Sequence, residues 1–190
     1  MTKERPILFS GAMVRAILDG RKTQTRRPVK GWALDWLQSD NFTPEYVADP
    51  ANRACPYGQA GDRLWVRETH GYGGDAYAPD LYYRATHPDA PIQDRWHPSI
   101  HMRREDSRLV LEITGVRVER LNECSDADAV AEGLHILPAS GRYVVSPGEQ
   151  YAGLADHDPR AVYADLWDRI NGAGAWEANP WVWVVEFRKV

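Results

Sequence analysis

The sequence predicts an α+β fold in which short strands gather into one small curled sheet or barrel with helices laid against it. Three observations carry that expectation. Residues 63–69 and 108–121 alternate side chains with a period of two, the pattern of half-buried strands, and residues 181–187 are a run of aromatic and β-branched residues, the pattern of a buried one. Residues 10–20 and 158–171 show the 3.6-residue period of amphipathic helices, each bounded by capping residues. Thirteen prolines, fifteen glycines and a mean hydropathy of -0.54 point to many turns on a β-rich frame. Strands mostly follow one another without an intervening helix, so a doubly wound parallel sheet is not expected.

Taken in order, Pro6 to Phe9 reads as a short apolar strand. Ser10 is placed to cap a helix whose apolar face is Met13, Val14, Ile17 and Leu18, and Gly20 stands where a left-handed C-terminal cap belongs. Thr23 to Arg27 is a short strand stopped by Pro28. Residues 31–60 form a first loop-rich insertion, with one short helix around Trp32, Leu34, Trp36 and Leu37, then prolines 44, 50 and 56 without a clean period. Gly61-Asp62 turns into a strand with Leu64, Val66 and Glu68 on one face and Trp65 and Arg67 on the other. The glycine-rich, aromatic run from Gly71 to Pro79, with Tyr72, Gly73, Gly74 and Tyr77, reads as a loop leading to a strand at Leu81 to Ala85. His87 to Ser107 is a long loop carrying Trp96, His97 and His101, aromatic and imidazole groups suited to gripping a flat ring.

Arg108 to Leu121 is the longest strand, and Gly115 marks a bulge or bend in it. Ser125 opens a short helix with capping-box chemistry that Gly133 ends. Residues 134–157 form a second loop-rich insertion. Asp158-Pro159 starts a helix with Val162, Leu166, Trp167 and Ile170 on its apolar face, and Trp181 to Phe187, apolar on both faces, is a central strand. All of this fits one domain spanning residues 1–190.

Composition narrows the class of protein. No apolar run approaches the ~20 residues of a membrane span, and the first residues lack the apolar core of a signal peptide, so a cytoplasmic protein without a membrane partner is expected. Cys55 and Cys124 match no metal-ligand spacing, and neither a metal nor another cofactor is expected. Net charge is -4, but residues 1–30 hold eight Lys/Arg against two Asp/Glu while residues 121–190 hold five against eleven. That asymmetry would guide an anionic ligand toward the opening segment.

Chemistry concentrates at Gly20-Arg21-Lys22-Thr23-Gln24-Thr25-Arg26-Arg27, where an amine and a hydroxyl sit on a helix-to-strand turn among guanidinium groups. Like charges and partial burial lower an amine's pKa, which turns a lysine into a neutral base. The bland alternative is a cation placed to suit the helix dipole. Lys22 and Thr25 lie three apart, so they meet only if the turn persists past residue 22. Glu132 breaks a local rule, a carboxylate at the negative end of a helix, and Glu68 is a rival acid.

The Gly20-Arg21-Lys22-Thr23-x-Thr25-x-Arg27 run, the Gly61-Asp62-Arg63-Leu64-Trp65-Val66-Arg67-Glu68 strand, Ala131-Glu132-Gly133 and the closing Val182 to Phe187 together resemble the ASCH domain of the PUA-like superfamily. The layout including Cys55-Pro56-Tyr57-Gly58 and Trp96-x-Pro98-Ser99-Ile100-His101-Met102 is similar to ASCH-like proteins of phages and prophages. The resemblance implies a PUA-like small β-barrel with flanking helices. It also implies amidohydrolase chemistry, since small bacterial members remove the acetyl group of N(4)-acetylcytidine with a lysine, a threonine and a glutamate. By that correspondence Lys22, Thr25 and Glu132 are the catalytic candidates. Arg26, Arg27, Trp65, Arg67, Glu68, Trp96 and His101 are the candidate substrate-binding residues.

The expected function is therefore metal-independent removal of an acyl group from a modified nucleoside or base. The alternatives are a module that binds RNA or a modified base without catalysis, and a ribonuclease acting on single-stranded RNA with His97 or His101 as acid/base. In each case the partner is a nucleoside or a single-stranded nucleic acid.

Overall fold

A computed structural model describes residues 2–39, 41–75 and 78–190. Tyr77, part of the glycine-rich run, lies outside the described residues. The elements in chain order are β1 (Glu4–Leu8), α1 (Gly11–Leu18), β2 (Gln24–Pro28), α2 (Trp32–Gln38), α3 (Pro44–Ala48), β3 (Arg63–Arg67), β4 (His70–Asp75) and β5 (Ala78–Tyr83). There follow β6 (Val110–Arg120), α4 (Asp126–Ala131), β7 (His135–Ile136), β8 (Tyr143–Val144), α5 (Pro159–Asn171) and β9 (Trp181–Lys189). The architecture is mixed α+β. A five-stranded sheet runs in the order β1-β3-β6-β9-β2, with β1 and β3 parallel and the other neighbours antiparallel, and two hairpins, β4-β5 and β7-β8, stand apart from it. Among the described residues no helix is long and apolar enough to cross a membrane.

The sheet is apolar on both faces, as expected for a central β9. Trp183, Val185 and Phe187 of β9 enter one core with α1, α2 and α3, while Val182 and Val184 enter a second core with α4 and α5. The bulge at β6 makes this possible. Ile113 pairs with Phe187 and Gly115 with Glu186, so Thr114 is an extra residue, and the shift of parity keeps Leu111, Ile113 and Val118 all in the first core.

Helix boundaries follow the expected chemistry. Ser10 accepts from the Met13 N–H at 3.4 Å, Ser125 and Asp128 form a reciprocal capping box, and Asp158 caps α5 with Pro159 in its first turn. Two segments differ from expectation. Residues 31–60 hold a second helix, α3, because Pro44 occupies the first turn after the Thr43 cap rather than breaking a segment. The glycine-rich run is strand β4, paired with β5 from His70↔Tyr83 to Asp75↔Ala78. Its glycines reflect close packing: a Cβ on Gly73 would meet the Pro91 carbonyl oxygen at 2.4 Å. Ile170, expected on the buried face of α5, is exposed near the helix end.

Candidate functional site

β2 is an edge strand, and its partner β9 decides where each of its side chains goes. Thr25 is opposite Val185, on the first-core face, whereas Arg26 is opposite Val184, on the face covered by α4 and α5. Lys22 precedes the strand, in a turn closed by Lys22 N–H donating to the Ala16 carbonyl at 3.0 Å and Thr23 N–H donating to the Ala131 carbonyl at 2.9 Å. Those bonds tie the α1 C-terminus to the α4 C-terminus and set Lys22 in a bridge pairing with Glu132.

The Lys22 ammonium donates to the Glu132 carboxylate at 2.8 Å and to the Glu132 carbonyl at 2.9 Å, and its side chain is wholly buried. The other Glu132 oxygen accepts from Arg26 at 3.2 Å, and Arg26 also donates to Glu119 at 2.6 Å. A buried array of alternating charge, Lys22-Glu132-Arg26-Glu119, thus joins β2, α4 and β6. Gln24 and Arg117 extend it by donating to Asp128. Burial lowers the Lys22 pKa from its ordinary value; Glu132 opposes the shift, and the charges of Arg27 and Arg26 add to it. Burial works against the Arg26 charge too and is the largest single influence, but Glu132, Cys124 and Glu119 together outweigh it and raise the pKa. Burial also pushes the Cys124 thiol up to about 12, which leaves it inert as a nucleophile.

Glu132 connects this array to a small cavity of about 40 Å³ on the outer edge of β2, between α1 and α5. Thr25, Arg26, Arg27, Tyr163 and Trp167 also line it, and Lys22 reaches it only through Glu132. Burial, followed by the Glu132 carboxylate to which it hydrogen-bonds, raises the Tyr163 phenol well above its usual pKa, so the hydroxyl stays a neutral donor. Two further donors in the wall, Arg27 Nε and Trp167 Nε1, are buried without a hydrogen-bond partner. Unpaired buried N–H groups cost roughly 1–3 kcal/mol each, so a wall holding two of them suits a ligand that presents acceptors.

Lys22 and Glu132 are therefore brought together, and Glu132 and Thr25 both line the cavity, but Thr25 belongs to the other face of β2 and the Lys22 ammonium bonds Glu132 and not the Thr25 hydroxyl. The other candidates sit elsewhere. Arg67 stacks over Trp65 at 5.4 Å and donates to the carbonyls of Met102, at 3.1 Å, and Ile100, pinning a 3-10 turn at Ser99–His101. Glu68 is buried and held by Arg108 through two bonds of 2.8 and 3.0 Å. Trp96 packs near Gly71, and His101 lines a different cleft with His70 and His97. A larger cavity of about 730 Å³ between β1 and residues 48–62 contains none of the candidates. Among the described residues no group of three or more His, Cys, Asp or Glu is placed to hold a metal ion.

Tyr163 and Trp167 were not singled out by sequence as site residues. Their four-residue spacing on α5 reads as an apolar stripe, and a tyrosine hydroxyl inside such a stripe is the one signal that marks a buried acceptor nearby.

No family model matches the chain, and no curated protein matches it. Among solved structures it is similar to the crystal structure of protein EF3133 from Enterococcus faecalis V583, of family model DUF984, at 11% identity and a TM-score of 0.43, over 100% of this chain and 82% of that one. That likeness is too remote to carry an argument about fold or chemistry.

Proposed function

We propose that the chain is an amidohydrolase of the ASCH, PUA-like type that removes a small acyl group from the exocyclic amine of a nucleoside or base such as N(4)-acetylcytidine. In this reading the five-stranded sheet is the core of a PUA-like barrel. The observation that carries it is the buried Lys22-Glu132 pair, formed across 110 residues of sequence and opening through Glu132 onto the cavity that Thr25 lines.

The Thr25 hydroxyl attacks the amide carbonyl, and its proton passes to the Lys22-Glu132 pair, which holds it as one unit. Arg27 Nε and Trp167 Nε1 donate to the oxygen that becomes negative. The C–N bond then breaks as Glu132 returns the proton to the leaving amine, and water releases the acyl group from Thr25. A volume of about 40 Å³, against the ~10–15 Å³ that one enclosed water needs, leaves room for a group of a few heavy atoms such as acetyl, while the base stays at the mouth. The test is release of cytidine from N(4)-acetylcytidine by the wild-type chain and its loss in Lys22→Ala and Thr25→Ala; an unchanged rate in either variant overturns the mechanism.

A second reading is a binding module that uses the same donors without chemistry. The observation favouring it is that both Glu132 oxygens are already engaged, by Lys22 and Arg26. It is supported if N(4)-acetylcytidine binds and no cytidine forms.

A further inference from the structure

We propose that the cleft between the β4-β5 hairpin and residues 97–106 is a second site, which binds the phosphate group of a nucleotide or of a single-stranded nucleic acid. The cleft measures about 380 Å³ and is lined by His70, Tyr72, His97, His101, Arg103 and Asp106. It is built rather than incidental. His70 and His97 form an isolated bridge in which each N–H donates to the other's carbonyl, at 3.2 and 2.7 Å, so their rings lie 5.5 Å apart on one side of the pair. Tyr72, two residues on from His70 and so on the same strand face, places its ring 6.0 Å from that of His97.

The far wall is held as firmly. Arg67 grips the carbonyls on either side of His101, and Arg104 is paired with Glu4 at 2.8 Å. Between these anchors Arg103 is left on the surface, its one ion pair among the described residues a 3.4 Å contact to an exposed Glu105 that water screens. The wall also carries one carboxylate, Asp106, which lies beside the Tyr72 hydroxyl and whose backbone carbonyl accepts from the Tyr83 hydroxyl at 2.9 Å. Beside that carboxylate the cleft offers a ligand the Arg103 guanidinium and the imidazoles of His97 and His101, each of which keeps at least one N–H donor in either protonation state, while buried His70 has Nδ1 3.3 Å from the Glu68 carbonyl. A guanidinium beside fixed N–H donors is the chemistry of oxyanion recognition, and Arg matches phosphate in a two-pronged geometry. The aromatic rims of Tyr72 and His97 leave room for an attached ring to stack.

The site shares no residue with the β2 cavity, so it stands or falls separately from the hydrolase reading. The experiment is an NMR titration of the imidazole carbon-bound protons of the full chain at fixed pH and chloride concentration, with inorganic phosphate as the probe. His97 and His101 are expected to shift saturably while His87, His135 and His157 stay still, and Arg103→Ala, an exposed position, is expected to weaken binding at least tenfold. Parallel arms with cytidine 5′-monophosphate and a short oligouridylate distinguish the sources: the tighter binder is the ligand class. An absence of saturable shifts at His97 and His101, or equal affinity in Arg103→Ala, overturns the proposal.

Discussion

Both hydrogen bonds of the Lys22 ammonium go to one residue: Glu132 accepts from it through its carboxylate at 2.8 Å and through its backbone carbonyl at 2.9 Å. Glu132, by contrast, has a second cation in Arg26 at 3.2 Å. The dependence is therefore lopsided, and the energetic consequences of cutting the pair depend on which side is cut.

Glu132→Gln leaves the buried Lys22 ammonium without a carboxylate, while Arg26 keeps Glu119, and is expected to cost about 3–5 kcal/mol of stability. Lys22→Met removes both bonds to Glu132 but leaves its carboxylate paired with Arg26, and is expected to cost roughly 1–3 kcal/mol, the scale of a buried acceptor left unmet. Urea unfolding of both variants checks the order; equal losses would mean that Arg26 does not hold Glu132 independently.

Gly133→Ala should be severe for its size. The backbone there has φ +105, and an added Cβ would approach Ala16 Cβ at 2.8 Å and Lys22 Cβ at 2.9 Å. Strain of ~1–3 kcal/mol for the left-handed conformation adds to overpacking of ~1–3 kcal/mol. Thermal unfolding is expected to show a loss above 2 kcal/mol, with the proposed hydrolase activity falling alongside because Lys22 is displaced.

Burial pushes the Asp128 carboxyl up, but hydrogen bonds from Ser125 and Gln24 and the charge of Arg26 outweigh it and hold it well below the usual carboxylate range. A carboxyl depressed in the folded chain contributes stability that is complete above its unfolded value, near ~3.9, and is lost as pH falls below that toward the folded value. Asp128→Asn should therefore be less stable than the wild type at pH 7 yet lose less between pH 5 and pH 2. Denaturation midpoints across that range read the difference directly.

Trp167→Phe deletes an orphaned N–H while keeping most of a buried ring. The free protein is expected to match or exceed wild-type stability, since a buried donor without an acceptor is a cost. Affinity for N(4)-acetylcytidine, measured by calorimetry, should drop about tenfold if that N–H meets the ligand, equivalent to ~1.4 kcal/mol.

Much of the frame was legible because its signals are local. The Ser10 and Ser125 caps, the period of α5, the alternation of β3 and β6 and the apolar run of β9 are each confined to a short stretch of chain, and the Gly115 irregularity announced the bulge. β4 was hidden because Gly71, Gly73 and Gly74 mimic a loop, when two of them are there to admit the chain around Pro91 and Ile92. α3 was hidden because Pro44 at a helix start looks the same, in sequence, as a breaker. At the site, Lys22, Thr25 and Glu132 could be named from the residues and the motif, but the Lys22-Glu132 bond depends on a bridge between residues 110 apart. The orphaned donors of Arg27 and Trp167 are a property of packing that no pattern of letters carries.

The strand order has a bearing on residues 31–60. β2 lies at one margin of the sheet and β3 beside the other, three strand spacings away, roughly 14 Å. The intervening chain therefore travels across the sheet, and Ala33, Leu37 and Val47 are buried in the first core along the way. It is a strap rather than an ornament. Cutting it short would leave β3 without a route from β2, so the segment that most resembles an appendage in sequence shares with α1 the work of carrying the chain from one margin of the sheet to the other.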